Sequence, residues 1–186
     1  MSQAIAPGRV LLDAAGVAQA TEQIVDGIAA ALPTLPTIQR LALVGVRRGG
    51  VELADRIGQG LVARGGGRPL RGNVDITLYR DDLYTGLERP VLGDTELPFE
   101  VSGAGIVLVD DVLFTGRTVR AALEEILDFG RPAWVRLAVL VDRGHRELPI
   151  QADHVGLRVD TSLTDRVTVE LTRGGPAADD RVRVEG

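Results

Sequence analysis

The chain contains no cysteine among its 186 residues, which excludes disulfide bonds, thiol nucleophiles and metal sites built on cysteine. Lysine is absent as well, so all 21 basic residues are arginine. The planar guanidinium of arginine suits phosphates and carboxylates, although a genome-wide preference for arginine codons is the simpler explanation for most of these residues. Aromatic residues make up only 3% of the chain, so its core must rest on valine, leucine, isoleucine and alanine.

Long apolar segments are also missing. The chain does not open with a basic region followed by an apolar core, and no apolar run approaches the roughly 18 residues of a membrane helix. We therefore predict no signal peptide, no membrane contact and a cytoplasmic location. The net charge of −5 argues against indiscriminate binding of nucleic acid. The length suits a single domain over residues 1–186.

Strand-like and helix-like patterns alternate along the chain. Helices are predicted over 13–32, with Asp13 as N-cap, and over 51–64 and 117–129. The predicted strands are 41–46, 74–79, 106–109 and 134–141, followed by shorter ones at 154–159, 167–171 and 181–184. Residues 80–102 show no strong period and are rich in glycine and proline, which is typical of a long loop or hairpin lid. This order predicts an α/β fold with a doubly wound, mostly parallel sheet flanked by helices.

Residues 106–118 form the most informative segment, Ile-Val-Leu-Val-Asp-Asp-Val-Leu-Phe-Thr-Gly-Arg-Thr. Asp110 and Asp111 follow a predicted strand, and ligands of open α/β sheets bind beyond the carboxyl ends of strands. Residues 115–118 open a predicted helix, whose first amides attract anions, and Gly116 allows close backbone approach. A diol and a phosphate, as in ribose 5-phosphate, match this layout. A single aspartate often only caps a loop, but two beside such a turn disfavour that explanation.

Two other nucleotide-binding patterns are missing. There is no Gly-Lys-Ser/Thr sequence, and no dinucleotide glycine fingerprint follows the first predicted strand. The 106–118 segment instead resembles the signature of the type I phosphoribosyltransferases, which bind 5-phosphoribosyl 1-pyrophosphate (PRPP). Residues 75–83 and 140–150 are similar to the PyrR family, uracil phosphoribosyltransferases of which many also attenuate pyrimidine operons by binding messenger RNA. The resemblance covers about residues 10–171.

The resemblance implies a type I phosphoribosyltransferase fold with a lid. It also implies that the protein makes UMP and pyrophosphate from uracil and PRPP. Mg²⁺ would be carried by PRPP, without a dedicated metal site on the protein. The implied partners are uracil, PRPP, UMP, a pyrimidine operon mRNA leader and further copies of the chain in a homodimer or higher homo-oligomer.

Site residues follow from the same resemblance. Asp110 and Asp111 would hold the ribose hydroxyls and, with Arg80, form the catalytic set. PRPP would also contact two loops, made of Arg47, Arg48 and Gly49 in the first and of Val112, Leu113, Phe114, Thr115, Gly116, Arg117 and Thr118 in the second. The base would lie against Asp142, Arg143 and His145, and RNA against Arg146 and Arg158.

The sequence departs from the family pattern at two places. An arginine is expected at position 49, where this chain has glycine, and we hypothesise that Arg48 replaces it. Glu22 and Asp26 occupy positions of the first helix where the family's RNA face has threonine and histidine, which predicts weakened RNA binding. Two alternatives stay open: an RNA-binding sensor of uridine nucleotides with weak or vestigial catalysis, and a transferase for another base such as a purine. The PyrR-like segments disfavour the second. His154 stands alone and is predicted to be structural.

Overall fold

A computed structural model describes residues 8–38, 40–47, 49–76, 95–173 and 178–186. In chain order its elements are β1 (Arg9–Leu12), α1 (Ala14–Ala31), a short 3₁₀ turn (Leu32–Thr34), β2 (Leu41–Val46), α2 (Gly49–Ala63), β3 (Leu70–Val74), β4 (Gly105–Leu113), α3 (Arg117–Asp128), β5 (Trp134–Asp142), β6 (His154–Arg158), β7 (Arg166–Glu170) and β8 (Arg181–Glu185). No helix in these ranges is long and apolar enough to cross a bilayer.

Five strands form a parallel sheet in the order β3-β2-β4-β5-β6. Because side chains alternate along a strand, β4 supplies both faces of this sheet. Ile106 and Leu108 belong to the buried cluster that includes α3, whereas Val107 and Val109 belong to the cluster that includes α1 and α2. Both faces are therefore covered by helices, which confirms the predicted doubly wound α/β fold.

A second sheet, antiparallel and three-stranded, has the order β1-β8-β7. It is joined to α2 by a buried ion pair, in which Arg56 Nη1 lies 2.5 Å from Asp180 Oδ2. Arg56 Nη2 also donates to the carbonyl of Thr172 at 2.6 Å. Removing one partner of such a buried pair costs about 3–5 kcal/mol. The sequence predicted β7 and β8 but not β1, which is a short strand with an exposed N-terminal half.

Residues next to the helix ends account for the start of α1 and the end of α2. Asp13 caps α1, since its side chain accepts a hydrogen bond from Gly16 N at 2.8 Å. After α2, Gly65 adopts a left-handed φ of 79° and its N–H donates to Val62 O at 3.0 Å. The helix predicted over 51–64 begins two residues earlier, at Gly49, which the resemblance assigns to a loop.

Two strand predictions need correction. The strand predicted over 74–79 lies at Leu70–Val74, where every residue is paired with β2. Pairing with a buried neighbour overrides the poor strand propensity of its glycine and asparagine. The strand predicted to end at residue 109 continues to Leu113, because its ladder with β5 extends to the pair Leu113 and Asp142. Residues 77–79 and most of the predicted lid lie outside the described residues.

Candidate active site

Asp110 and Asp111 lie within β4, just past the point where its pairing with β2 ends at Val109. Asp110 is 4% exposed and its Oδ1 accepts the N–H of Asp111 at 3.0 Å. Asp111 is half-buried and its Oδ1 accepts the N–H of Val112 at 2.8 Å. Because neighbouring strand residues point to opposite faces, the two carboxylates do not form one side-by-side pair. Asp111 points to the α2 side, where it contacts Gly49.

Glycines allow the start of α2 to pack closely against the sheet. A Cβ atom on Gly49 would overlap with Oδ2 of Asp111, and one on Gly50 would overlap with the carbonyl oxygen of Val109. The first-turn N–H groups of α2, which have no intrahelical acceptors, therefore lie close to the carboxylate of Asp111. Free N–H groups at a helix start can bind an anion, and a carboxylate can accept hydrogen bonds from hydroxyl groups.

Arg47, in the short connection between β2 and α2, is held in place by β3. Its Nε donates to Asn73 Oδ1 at 2.8 Å, and its backbone N–H donates to Val74 O at 3.0 Å. Arg48, which we hypothesised to replace an arginine at position 49, lies outside the described residues, as does Arg80. Their roles stay predictions.

The connection from the end of β4 to the start of α3, which we call the phosphate turn (residues 113–118) after its predicted role, depends on one glycine. Gly116 is the N-cap of α3 with φ of 94°, a conformation that favours glycine. Its carbonyl accepts the N–H of Arg120 at 2.9 Å and so starts the helix. Thr115 and Thr118 are half-buried on either side, and Arg117 is exposed with its Nε 2.7 Å from Glu147 Oε2.

The segment that begins at the last residue of β5, which we call the base segment (residues 142–150) after its predicted role, lies against the phosphate turn. The guanidinium carbon of Arg143 is 4.1 Å from the ring centroid of Phe114, and His145 meets the same ring edge-on at 5.8 Å. Arg143 is only 6% exposed, and burial lowers its pKa against the opposing effect of Asp165. Three residues predicted from two separate segments, Phe114 from one and Arg143 and His145 from the other, therefore form one cluster.

A third segment completes this cluster and was missed by the sequence analysis. Thr161 accepts from Arg143 Nε at 3.1 Å through its hydroxyl and contacts His145 Nε2 at 2.7 Å through its carbonyl. Ser162 O accepts from Arg143 Nη2 at 2.7 Å. Asp165 fixes this loop by accepting the backbone N–H of Ser162 at 2.8 Å. A polar run directly after a parallel strand, Asp-Thr-Ser at 160–162, was the available signal.

The two arginines predicted to face RNA differ in environment. Arg158 is exposed at the end of β6, where it is paired in register with Asp142 of β5. Arg146 is only 21% exposed in its side chain and is bonded within the molecule, including to Asp142 Oδ1 at 2.6 Å. Asp142, predicted to face the base, also accepts the N–H of Gly144 at 3.1 Å.

A strand-end carboxylate, a glycine-containing turn that opens a helix and an adjacent segment after the next strand lie together, as the resemblance to the phosphoribosyltransferases implies. In agreement, the family model of the phosphoribosyl transferase domain matches residues 14–170. The chain is 50% identical over 165 residues to a bifunctional protein PyrR of Geobacter sulfurreducens, covering 89% of this chain and 92% of that one. It is 57% identical over 131 residues to the bifunctional protein PyrR of Pelotomaculum thermopropionicum, covering 70% and 72% of the two chains. The chain therefore belongs to the PyrR family, as the sequence predicted.

Solved structures support the fold independently. A hypoxanthine phosphoribosyltransferase of Trypanosoma cruzi aligns with a TM-score of 0.69 at 18% identity over 95% of both chains. An HGPRT-ase of Leishmania tarentolae aligns with a TM-score of 0.70 at 17% identity, again over 95% of each chain. At this level of identity the comparison shows a common fold alone, which confirms the predicted type I phosphoribosyltransferase fold.

Proposed function

We propose that the protein joins uracil to the 5-phosphoribosyl group of PRPP and releases pyrophosphate, so that the product is UMP. The observation that carries this proposal is the stack of Arg143 over Phe114. Phe114 belongs to the turn that would bind the 5-phosphate, and Arg143 belongs to the segment that would bind the base. Their contact would put the binding regions for the phosphate and for the base of a nucleoside monophosphate next to each other.

The reaction is displacement of pyrophosphate from the anomeric carbon by a uracil nitrogen, through a transition state with oxocarbenium character. Positive charge then develops on the ribose, and the carboxylate of Asp111 next to α2 is suited to stabilise it and to accept hydroxyl hydrogens from the ribose. Asp110 is more deeply buried and would act chiefly by holding the backbone of Asp111. The first turn of α2, with Arg47 and Arg48, would receive the pyrophosphate.

Magnesium fits this site as an ion bound mainly by the substrate. Among the residues that the structure describes, no three acidic or histidine side chains converge. The half-buried carboxylate of Asp111 would help to hold such an ion. When bound, magnesium would neutralise charge on the departing pyrophosphate.

The proposed activity is tested by incubating the purified protein with PRPP, Mg²⁺ and one nucleobase at a time. We expect UMP and pyrophosphate in equal amounts with uracil, and little product with hypoxanthine, guanine or adenine. Turnover with a purine would favour the alternative transferase. UMP binding without turnover on any base would favour the nucleotide sensor with vestigial catalysis.

We infer that a second activity, binding to a pyrimidine operon mRNA leader, is weakened in this chain. Glu22 and Asp26 are exposed on one face of α1, and Arg64, in the turn directly after α2, lies between them. Its Nη2 is 2.5 Å from Glu22 Oε2 and its Nε is 2.7 Å from Asp26 Oδ1. One guanidinium between two carboxylates leaves this face with a net negative charge, which repels phosphate.

Charge reversal tests this inference. Glu22→Lys with Asp26→Lys should raise affinity for an attenuator stem-loop and steepen its dependence on salt. The measurement is a filter-binding titration at two salt concentrations with UMP present. The matched control is Glu124→Lys, which changes a charge that is paired with Arg120 on the exposed side of α3. Tight, sequence-specific binding by the unmodified protein would refute the inference and point to arginines such as Arg158.

A further inference from the structure

The phosphate turn and the base segment are joined by hydrogen bonds at three successive carbonyl groups. Leu113 O accepts the backbone N–H of Arg143 at 3.1 Å. Thr115 O accepts two backbone N–H groups, from Glu147 at 3.0 Å and from Leu148 at 3.2 Å. The carbonyl between them, that of Phe114, receives its donor from a side chain.

That donor is Arg146. Its Nη1 donates to Phe114 O at 2.8 Å and to Gly144 O at 2.9 Å. Its Nε donates to Ile150 O at 2.9 Å, and its Nη2 to Asp142 Oδ1 at 2.6 Å. All three guanidinium nitrogens are therefore used within the molecule, at both ends of the base segment and in the middle of the phosphate turn. This geometry needs the planar fork of arginine, which lysine does not supply.

The direction of the Phe114 carbonyl has a consequence for the next amide. In a planar trans peptide the C=O and the following N–H point in opposite directions. A carbonyl of Phe114 that points to Arg146 therefore turns the N–H of Thr115 away from the base segment. Thr115 lies two residues before α3, next to Gly116, where the turn would enclose the 5-phosphate.

We propose that Arg146 is a positioning residue for the 5-phosphate. It fixes the Phe114–Thr115 peptide plane so that the Thr115 N–H donates to the phosphate of the bound nucleotide. The proposal rests on the proposed function, because the nucleotide is UMP. It assigns Arg146 to the phosphate turn, whereas the sequence analysis predicted an RNA contact for this residue.

A pair of ligands that differ only in the phosphate tests the proposal. UMP and uridine are titrated against the unmodified protein and against Arg146→Met, which keeps an extended apolar side chain and removes every donor. We expect the affinity for UMP to fall roughly tenfold or more, which corresponds to loss of a charge-assisted contact. The affinity for uridine should change by less than about threefold, because the backbone hydrogen bonds at Leu113 O and Thr115 O still hold the base segment against the turn.

The control variant is Arg136→Met, which removes an arginine whose Nη1 lies 2.6 Å from Asp153 Oδ1 at the opposite end of β5. It should leave the ratio of UMP to uridine affinity unchanged. An amide NMR spectrum adds a signature that lost stability alone would not produce. The Thr115 amide resonance should shift when UMP binds to the unmodified protein, and that shift should shrink in Arg146→Met.

If Arg146→Met does not fold, Asp142→Asn takes its place, because it weakens the contact that orients Arg146 Nη2. It should lower the UMP to uridine ratio in the same direction, by a smaller factor. An unchanged ratio in the folded variant would overturn the positioning role while the proposed function stands. If the unmodified protein itself shows no preference for UMP over uridine, the proposed function and the positioning role both fail.

Discussion

The carboxylate of Asp111 lies directly against the backbone of Gly49, where α2 begins. A side chain at position 49 would overlap with Oδ2 and Cγ of Asp111. The arginine expected there from the family pattern therefore could not be accommodated without moving the carboxylate. Glycine at position 49 leaves the space that the Asp111 carboxylate occupies, so a side chain at position 49 and the present conformation of Asp111 exclude each other.

Gly49→Ala tests this relationship. The added methyl should displace the Asp111 carboxylate and lower kcat/KM for PRPP by about 100-fold, since a displacement of about 1 Å at a reacting centre has costs of this order. Gly67→Ala is the matched control, because a Cβ at Gly67 would meet no atom within 4 Å. Steady-state kinetics with melting temperatures provide the measurement. Equal activity of the two variants would show that Asp111 does not need its present position.

Substitutions at Asp110 and Asp111 distinguish the roles of the two carboxylates. Asp111→Asn and Asp110→Asn keep shape and remove charge. Asp111→Asn should impair UMP formation far more than folding, and Asp110→Asn, which keeps the acceptor for the Asp111 N–H, should impair it less. For Asp111→Asn we expect kcat to fall by about 10²–10³, as for loss of one preorganised electrostatic contact. Asp128→Asn, at the exposed end of α3, is the control. Near-normal turnover in both active-site variants would defeat the assignment.

Alanine substitutions at two glycines, one in the phosphate turn and one outside it, test the role of the turn. Gly116 and Gly103 both have left-handed φ, of 94° and 75°, so alanine should destabilise each by about 1–2 kcal/mol. Only at Gly116 would the new Cβ press against a neighbour, 3.3 Å from Ile150 Cβ. PRPP affinity measured by calorimetric titration should therefore fall in Gly116→Ala and not in Gly103→Ala. Unchanged affinity in both variants would count against the turn as the phosphate site.

Much of this site could be predicted because its residues are close together in sequence. Residues 106–118 contain a strand, two adjacent carboxylates and a helix start in one stretch, so a site for a diol and a phosphate can be predicted from the sequence alone. The packing of Gly49 on Asp111 joins α2 to β4 across about sixty residues and has no local signal. The same holds for Thr161, which reaches the base segment only because β6 lies beside β5.

The prediction that His154 is structural leads to a dependence of stability on pH. His154 lies on β6 with its ring against Gly27 of α1. Burial lowers its pKa, with the charge of Asp153 opposing and that of Arg136 adding to this effect. The unfolded chain, with an ordinary histidine pKa near 6.5, therefore binds a proton at higher pH than the folded chain does. Stability should decrease as the pH falls below about 6.5, and level off once the folded protein is also protonated.

His154→Gln should remove this contribution. Free energies of unfolding in urea at pH 7.5 and 5.5 provide the comparison, because this interval lies above the ordinary range of carboxylate titration. The unmodified protein should lose more stability over the interval than the variant does. Equal losses would show that His154 is not held in its neutral form by the fold.

The most direct test of the central claim is a competition assay with uracil, hypoxanthine, guanine and adenine together in one reaction with limiting PRPP and Mg²⁺. The nucleotide products are separated and counted. We predict that UMP dominates, that pyrophosphate appears in equal amount, and that Asp111→Asn lowers the rate of formation of both products by about 10²–10³. Formation of a purine nucleotide in place of UMP, or UMP formation at a near-normal rate in Asp111→Asn, would contradict the account.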